Sequence, residues 1–375
     1  MSPLVFVFAM AALLLPLLLW GFWALPGESW QILASVPTRK RGGRWSGTNV
    51  TYYGLILACS FAFSAVVYLL LVTSRGLSVG YALGVMVGVV AIALPAASLV
   101  ARIVERRRHT FTVGGAAFVG LLAAVPWTYA LGWLSGGFDP HAFVTPILAA
   151  ICCAFLFGEG LGRLGCISFG CCYGKPVHQV EPRWLRRLFS RLQFRFRGET
   201  KKIAYASNLA GVAVVPIQAI TSTVYVGVGL IGLALYLSGH VVAAFLLAAV
   251  LAQTWRFVSE LMRADYRGDG KVSKYQIMAL LGVGYALAIA ALFPVPAGSG
   301  SLSAGLGALW DPAVIVVLEV LWAVVFVATG RSMVTGSELT IHVRRECLGE
   351  HAHEHAHVEP ALELPLAHEE QLQAA

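Results

Sequence analysis

Between Gly162 and Gly174 the chain reads GRLGCISFGCCYG, which sets one arginine among four glycines and three cysteines directly after an apolar run. An arginine at membrane depth costs about 2.5–3.5 kcal/mol on insertion scales, so Arg163 requires a partner, a water-filled cavity or an anionic ligand. Glycines let backbone N–H groups approach such an anion closely. A second basic string, WRFVSELMR, spaces Arg256, Glu260 and Arg263 at i, i+4 and i+7, along one face if the segment is helical. One guanidinium can there be neutralised by Glu260 while the other addresses an anion. The planar fork of arginine suits bidentate contact with phosphate, and Arg163 on a separate span would complete a two-arginine clamp. An ordinary ion pair at the membrane edge is the plainer alternative.

The seven cysteines, at 59, 152, 153, 166, 171, 172 and 347, contain no C-x-x-C pair and no histidine at zinc-finger spacing. Cys166, Cys171 and Cys172 read as small buried residues, as thiolates for a metal, or as a source of one disulfide. No metal and no cofactor is assigned from the sequence.

The elements that must carry these residues are set by hydropathy. Of 375 residues 58% are hydrophobic and 12% charged, and the mean hydropathy is +0.75, more apolar surface than a soluble core can hide. Nine runs reach or approach the ~20 residues needed to cross a bilayer: Leu4 to Leu25, Tyr52 to Val72, Val79 to Val100, Val113 to Leu134, Phe143 to Leu161, Val212 to Leu237, Val241 to Phe257, Ile277 to Phe293 and Pro312 to Thr329. The expected fold is an all-α integral membrane protein, a polytopic helical bundle, because the ~10-residue alternating segments of a barrel are absent. The first run lacks a basic leader and reads as an uncleaved helix. Gly298 to Gly307 reads as a loop before the last span. The polar stretch 331–375, with HAHEHAH at His351 to His357, reads as a disordered tail.

The net charge of +8 and isoelectric point near 9.2 come mainly from loops, around Arg39 to Arg44, Arg102 to Arg108 and Lys175 to Lys202. These fall on one side of a nine-span bundle, which the positive-inside rule makes cytoplasmic. Within the third of them, Trp184, Leu185, Leu188, Phe189 and Leu192 recur at helical spacing among Arg183, Arg186, Arg187 and Arg191, and Gln193 to Arg197 alternates like a strand. The helix belongs at the headgroup level, either gathering anionic phospholipid or simply anchoring the loop. Nucleic acid is not an expected partner.

Several short strings, in order, resemble the prolipoprotein diacylglyceryl transferase family of bacteria. GRLGCISFGCCYG is similar in register to that family's signature G-R-x-G-N-F-x-N-G-E-x-x-G through Arg163, Gly165, Gly170 and Gly174. TYYGLIL with Tyr53 and Gly54, FTVGGAAFVG with Gly114 and Gly115, VPIQ with Pro216 and Gln218, RFVSELMR, and SKYQI with Ser273 and Gln276 complete the series. The resemblance covers roughly Tyr52 to Phe293, a membrane core over 51–295 of about seven family-like spans with a basic insert near 175–207. Residues 1–50 add a span and a basic loop at one end, and 296–330 add a span at the other.

The resemblance implies an enzyme of the bacterial inner membrane that moves the diacylglyceryl group of phosphatidylglycerol to the lipobox cysteine thiol in the signal peptide of a preprolipoprotein. Arg163 and Arg256 would hold the phosphate and Tyr53 would hydrogen-bond near it. Gly165, Gly170 and Gly174 would shape the loop, and Gly114, Gly115, Gln218, Glu260 and Arg263 would complete the substrate site. No metal or cofactor is implied. The sequence departs from the pattern at Val113, where the family has histidine with His109 displaced nearby, at Val215, and at Cys166, Phe169 and Cys171, where it has asparagines and glutamate. Those departures keep open an alternative, a membrane protein that binds anionic phospholipid without turnover or uses another acceptor. The family's site faces outward, opposite to the positive-inside assignment, and its orientation is the one expected here.

Overall fold

The structure, a computed structural model, describes residues 2–105, 113–135, 139–264, 273–293, 295 and 298–344. His109, Arg106 to Arg108, residues 265–272 after the second basic string, Cys347 and the His351 to His357 tract lie outside them.

In chain order the elements are α1 (Pro3–Ala24), β1 (Ile32–Arg41), β2 (Arg44–Thr51), α2 (Tyr52–Ser74), α3 (Val79–Glu105), α4 (Val113–Ser135), α5 (Val144–Phe169), α6 (Arg183–Arg191), β3 (Phe194–Arg195), α7 (Lys202–Ser207), β4 (Ala213–Val214), α8 (Ile217–Leu237), α9 (Val241–Glu260), α10 (Lys274–Leu292), α11 (Leu302–Ala308), α12 (Pro312–Gly330) and β5 (Arg331–Leu339). Among the described residues nine helices are long and apolar enough to cross a membrane, one for each apolar run of the sequence. The protein is a polytopic helical membrane protein. Helices are the natural solution, because each satisfies its own backbone hydrogen bonds where no water is available.

α5 is the most enclosed of the nine and packs against α2, α8 and α9. α12 and α1 are the least enclosed. Serine hydroxyls tie the central helices together: Ser64 Oγ donates to Ala154 O at 2.7 Å and Ser222 Oγ to Gly160 O at 2.6 Å. In an apolar medium such bonds replace the hydrophobic drive that is missing between helices.

Several elements differ from the sequence reading. The basic stretch after α1 is a hairpin, and the beginning of the expected tail is β5, so that β1, β2 and β5 form a three-stranded sheet in the order β1-β2-β5. The chain divides into a main unit, Met1–Val36 with Thr48–Ser337, and a small one, Pro37–Gly47 with Glu338 onward. In the main unit Ser35 Oγ donates to Asn49 Oδ1 at 2.7 Å. In the small unit an exposed ion pair joins Arg44 to Glu338 at 3.0 Å. Hairpins and strand pairing across about 280 residues leave no periodic signal in a basic loop. The glycine-rich stretch before the last span holds a short helix, α11, whose N-cap Ser301 accepts from Ala304 N at 3.3 Å. α8 begins at Ile217 rather than Val212, because residues 213–214 pair with β3.

The amphipathic segment forms as expected. α6 turns Phe189 and Leu185 inward onto Val177, Val180, Val215 and Ile217, and leaves Trp184 (66% exposed), Leu188 and Leu192 outside among its arginines. β3 pairs antiparallel with β4 where the alternation predicts a strand.

Candidate functional site

The first turn of α2, the last two turns of α5, the start of α8 and the end of α9 meet at one end of the bundle. Arg163 lies there, in the last two turns of α5, and its partner is Glu159, one turn earlier on the same helix. Both side chains are largely buried, which makes the pair the answer to the first question the sequence poses. Breaking such a pair leaves an uncompensated charge at a cost of about 3–5 kcal/mol. The i, i+4 spacing of Glu159 and Arg163 was readable in the sequence, and the glutamate went unnoticed because it sits inside an apolar run. Among the described residues, Arg163 Nε and Gln218 Oε1 are the buried side-chain polar atoms that find no hydrogen-bond partner. Orphaned polar groups of this kind mark places where a ligand or water completes the set.

α5 is helical through Phe169, so Gly162 and Gly165 do not form an anion-cradling loop; their N–H groups lie within the helix. Gly165 instead lets α5 approach the main chain of Tyr53, whose ring lies 5.5 Å from that of Phe169. Gly170 ends the helix in the left-handed conformation, φ +71°. Its N–H bonds Ile167 O at 3.2 Å and the N–H of Cys171 bonds Cys166 O at 3.0 Å, the Schellman closure that brings the residues at 166 and 171 together. Cys172 is also left-handed, φ +56°, uncommon outside glycine and asparagine, and returns the third thiol to the first two. All three Sγ atoms lie within 4.8 Å of one another, a donor set of the kind that soft metals take.

The chain after the thiols is held by pairing on both sides. Gly174 bridges to Arg263 and Pro176 to Val214, while Lys175 N donates to Met262 O at 2.9 Å and Val215 N to Lys175 O at 3.0 Å. Gly174 packs so close to Val215 that a methyl group there would overlap its carbonyl. This pairing also corrects the expected stripe on α9. The helix stops at Glu260, and residues 262–264 leave it to pair with 173–175, so Arg263 is not on one face with Arg256 and Glu260. Arg263 is carried instead toward Cys172 and Arg163, with both of which it interacts electrostatically. Glu260 accepts a long hydrogen bond, 3.5 Å, from Ser273 Oγ at the start of α10.

Arg256 lies against Gly114, where a side chain would occupy the space of the guanidinium, and over the Tyr275 ring with 5.8 Å between Cζ and the centroid. Gly115, the next residue of α4, is buried as well. Tyr225 of α8, which donates to Ala252 O at 3.1 Å, interacts with the charges of Glu159, Arg256 and Arg163, so the two arginines address a common region from α5 and α9. Gln218 Nε2 donates to Cys171 O at 2.9 Å and fixes the turn that carries the thiols. Ser273 and Gln276 form the capping box of α10, with Gln276 N to Ser273 Oγ at 3.1 Å and Ser273 N to Gln276 Oε1 at 2.9 Å. Their place in the motif series is therefore that of a helix start.

Electrostatics separates the two thiols beyond the span. Hydrogen bonds from Cys166 and Cys171, reinforced by Arg263 and Arg163, hold the Cys172 thiol well below its usual range against the opposing effect of burial. Cys171, donating toward Cys166 and Cys172, is held well above it. Lys201, missed by the sequence reading, is buried beneath this turn and donates to Ser168 O at 2.5 Å and Leu25 O at 3.2 Å. Burial lowers its pKa to about 8. A cleft of about 380 Å³ lined by Leu237, Ser238 and Leu302 opens at the other end of α8 and holds none of these groups.

A family model described as prolipoprotein diacylglyceryl transferase matches residues 44–292. No curated protein and no solved structure matches the chain.

Proposed function

The chain belongs to the prolipoprotein diacylglyceryl transferase family, and on that premise we propose that it transfers the diacylglyceryl group of phosphatidylglycerol to the cysteine thiol of a lipobox peptide. The observation that carries the reading is the convergence of Arg163 and Arg256 on the region of Tyr225, with Arg163 Nε buried and lacking a partner. In the reaction a thiolate attacks the glycerol carbon, the carbon–oxygen bond breaks, and negative charge gathers on the departing phosphate. Preorganised guanidinium donors in a water-poor site stabilise that added charge more than they stabilise the singly charged phosphodiester of the ground state. Arg163 is oriented by Glu159 and Arg256 by its seat between Gly114 and Tyr275, so neither must be reorganised as the charge develops. Tyr53, in the first turn of α2, lies within electrostatic reach of the same thiol cluster and of Glu159, where it can hydrogen-bond the bound headgroup. The exposed apolar edge and arginines of α6 suit a surface that rests among anionic headgroups and supplies lipid laterally.

The test is transfer of labelled diacylglyceryl from phosphatidylglycerol to a lipobox peptide by the purified chain. The expected product is the labelled thioether, absent when the peptide cysteine is replaced by serine. Retained labelled lipid without product at saturating lipid and peptide would leave the binding protein as the correct reading. Cysteine at 166 and 171 and valine at 113, where the family pattern has polar groups, are the residues that favour that second reading.

A further inference from the structure

The three thiols at the end of α5 have no role in the reaction as described, yet the fold gathers them deliberately. Cys166 and Cys171 are joined by the helix-ending turn, Cys172 is brought back by a left-handed backbone, and Gln218 anchors the Cys171 carbonyl. Zn²⁺ bound by thiolates at about 2.3 Å in a tetrahedron places its sulfurs about 3.8 Å apart, within the 4.8 Å that encloses the three Sγ atoms here. Arg163 and Arg263 stand beside the cluster and offset the charge that three thiolates bring. Each of the three cysteines is a partly accessible residue, and three protein thiols leave one position of a tetrahedron unfilled. Structural zinc sites are closed by four protein ligands, whereas sites that do chemistry have three and leave one position for substrate.

We propose that Cys166, Cys171 and Cys172 together hold one Zn²⁺ and that its fourth position takes the acceptor thiol. The second half of this inference rests on the transferase reading. A thiol coordinated to zinc is deprotonated, and the thiolate is the nucleophile that the reaction needs. Glu159, the carboxylate nearest to Arg163, is committed to that guanidinium, so the ion supplies the activation instead. The acceptor R–SH binds Zn²⁺ and its proton passes to water. Its sulfur then forms a bond to the glycerol carbon, and the carbon–oxygen bond breaks with its electron pair going to the phosphate oxygen. Glycerol phosphate departs, and the thioether product, a poorer ligand than a thiolate, leaves the fourth position vacant for the next acceptor. Nothing is oxidised or reduced.

The experiment uses the purified full chain, with Co²⁺ exchanged for Zn²⁺ so that a sulfur-to-metal charge-transfer band reports thiolate ligands and excludes ions held by the histidine tract. One band-forming ion per chain is expected, lost in Cys166→Ser, Cys171→Ser and Cys172→Ser and kept in Cys152→Ala with Cys153→Ala. Lipobox peptide should shift the visible bands of the Co²⁺ form, and its serine analogue should not. Chelation of the wild type, which needs no variant to fold, should lower transfer by about 10²-fold, with recovery on returning Zn²⁺. Absence of the band, its survival in the triple serine variant, or a disulfide among the three cysteines overturns the metal site. Full transfer by chelated protein, or no spectral shift with the peptide, overturns the role given to the fourth position while leaving the transferase reading intact. A band and a peptide-induced shift without any labelled thioether would uphold the site and reject the transferase reading.

Discussion

Two pairs of adjacent cysteines lie within one stretch of chain and behave differently. Cys152 and Cys153 sit inside α5, where consecutive side chains diverge by about 100°, and both are buried. Cys153 packs against Gly232 of α8 as a small apolar residue would. Cys171 and Cys172 follow the end of the same helix, where a left-handed glycine and a left-handed cysteine turn both thiols onto Cys166 beside two arginines. Identical residues in identical sequence adjacency thus become filler in one backbone and a chemical group in the other. The lesson extends to α5 as a whole: its first half is packing, and its last three turns carry Glu159, Arg163 and Cys166.

That division can be broken by experiment. The largest expected effect is at Arg163. Arg163→Ala should lower transfer by about 10²- to 10³-fold, the usual loss on removing one preorganised donor to a developing anion, while Cys152→Ala with Cys153→Ala leaves the rate of transfer unchanged. Equal losses in the two variants would erase the distinction between the halves of α5. Gly114→Ala comes next. The added methyl takes the place of the Arg256 guanidinium, the movable end of a long side chain, so transfer should fall by up to about 10²-fold while the melting temperature stays close to wild type. Should melting collapse instead, Gly114 belongs with the packing residues.

Cys153→Leu tests the other half. Crowding Gly232 should destabilise the bundle by about 1–3 kcal/mol, read as a lower melting temperature, with transfer per folded molecule preserved. A loss of turnover in protein that remains folded would move Cys153 to the chemical side. The smallest effect is a pH slope from Lys201 beneath the thiol turn. Its folded pKa, about 8, lies below the unfolded value of 10.5. Between those values the unfolded chain binds more protons at this site, so its contribution makes stability rise with pH, whereas below pH 8 the cost of burying the charge is present in full. Melting temperatures from pH 8 to 10 should show this rise in the wild type and lose it in Lys201→Met. An unchanged slope in the variant would assign the dependence to another group.

The span pattern was legible because a single physical demand, about 20 apolar residues per crossing, writes itself into local composition. Ser273 and Gln276 entered only as a match in the order of motifs, and the structure gives them the capping box that starts α10. The hairpin at β1 and β2 and its pairing with β5 escaped because strand register is decided by a partner far away in sequence. Helical spacing put Arg263 on α9, and it left the helix because backbone pairing with residues 173–175 outcompeted one more turn.

By itself the sequence determined that the chain is a helical membrane protein, that arginines stand at membrane depth beside glycines, and that its motifs follow one family's order. Those properties depend on residue type and local spacing, which hydropathy and charge make costly to disguise. Only the tertiary structure decided that Arg163 is paired with Glu159, that Arg256 fits against Gly114, and that three of the cysteines meet while two others do not. Those outcomes turn on where the backbone leaves the helix and which helices pack side by side, and neither is recorded in the spacing of residues along the chain.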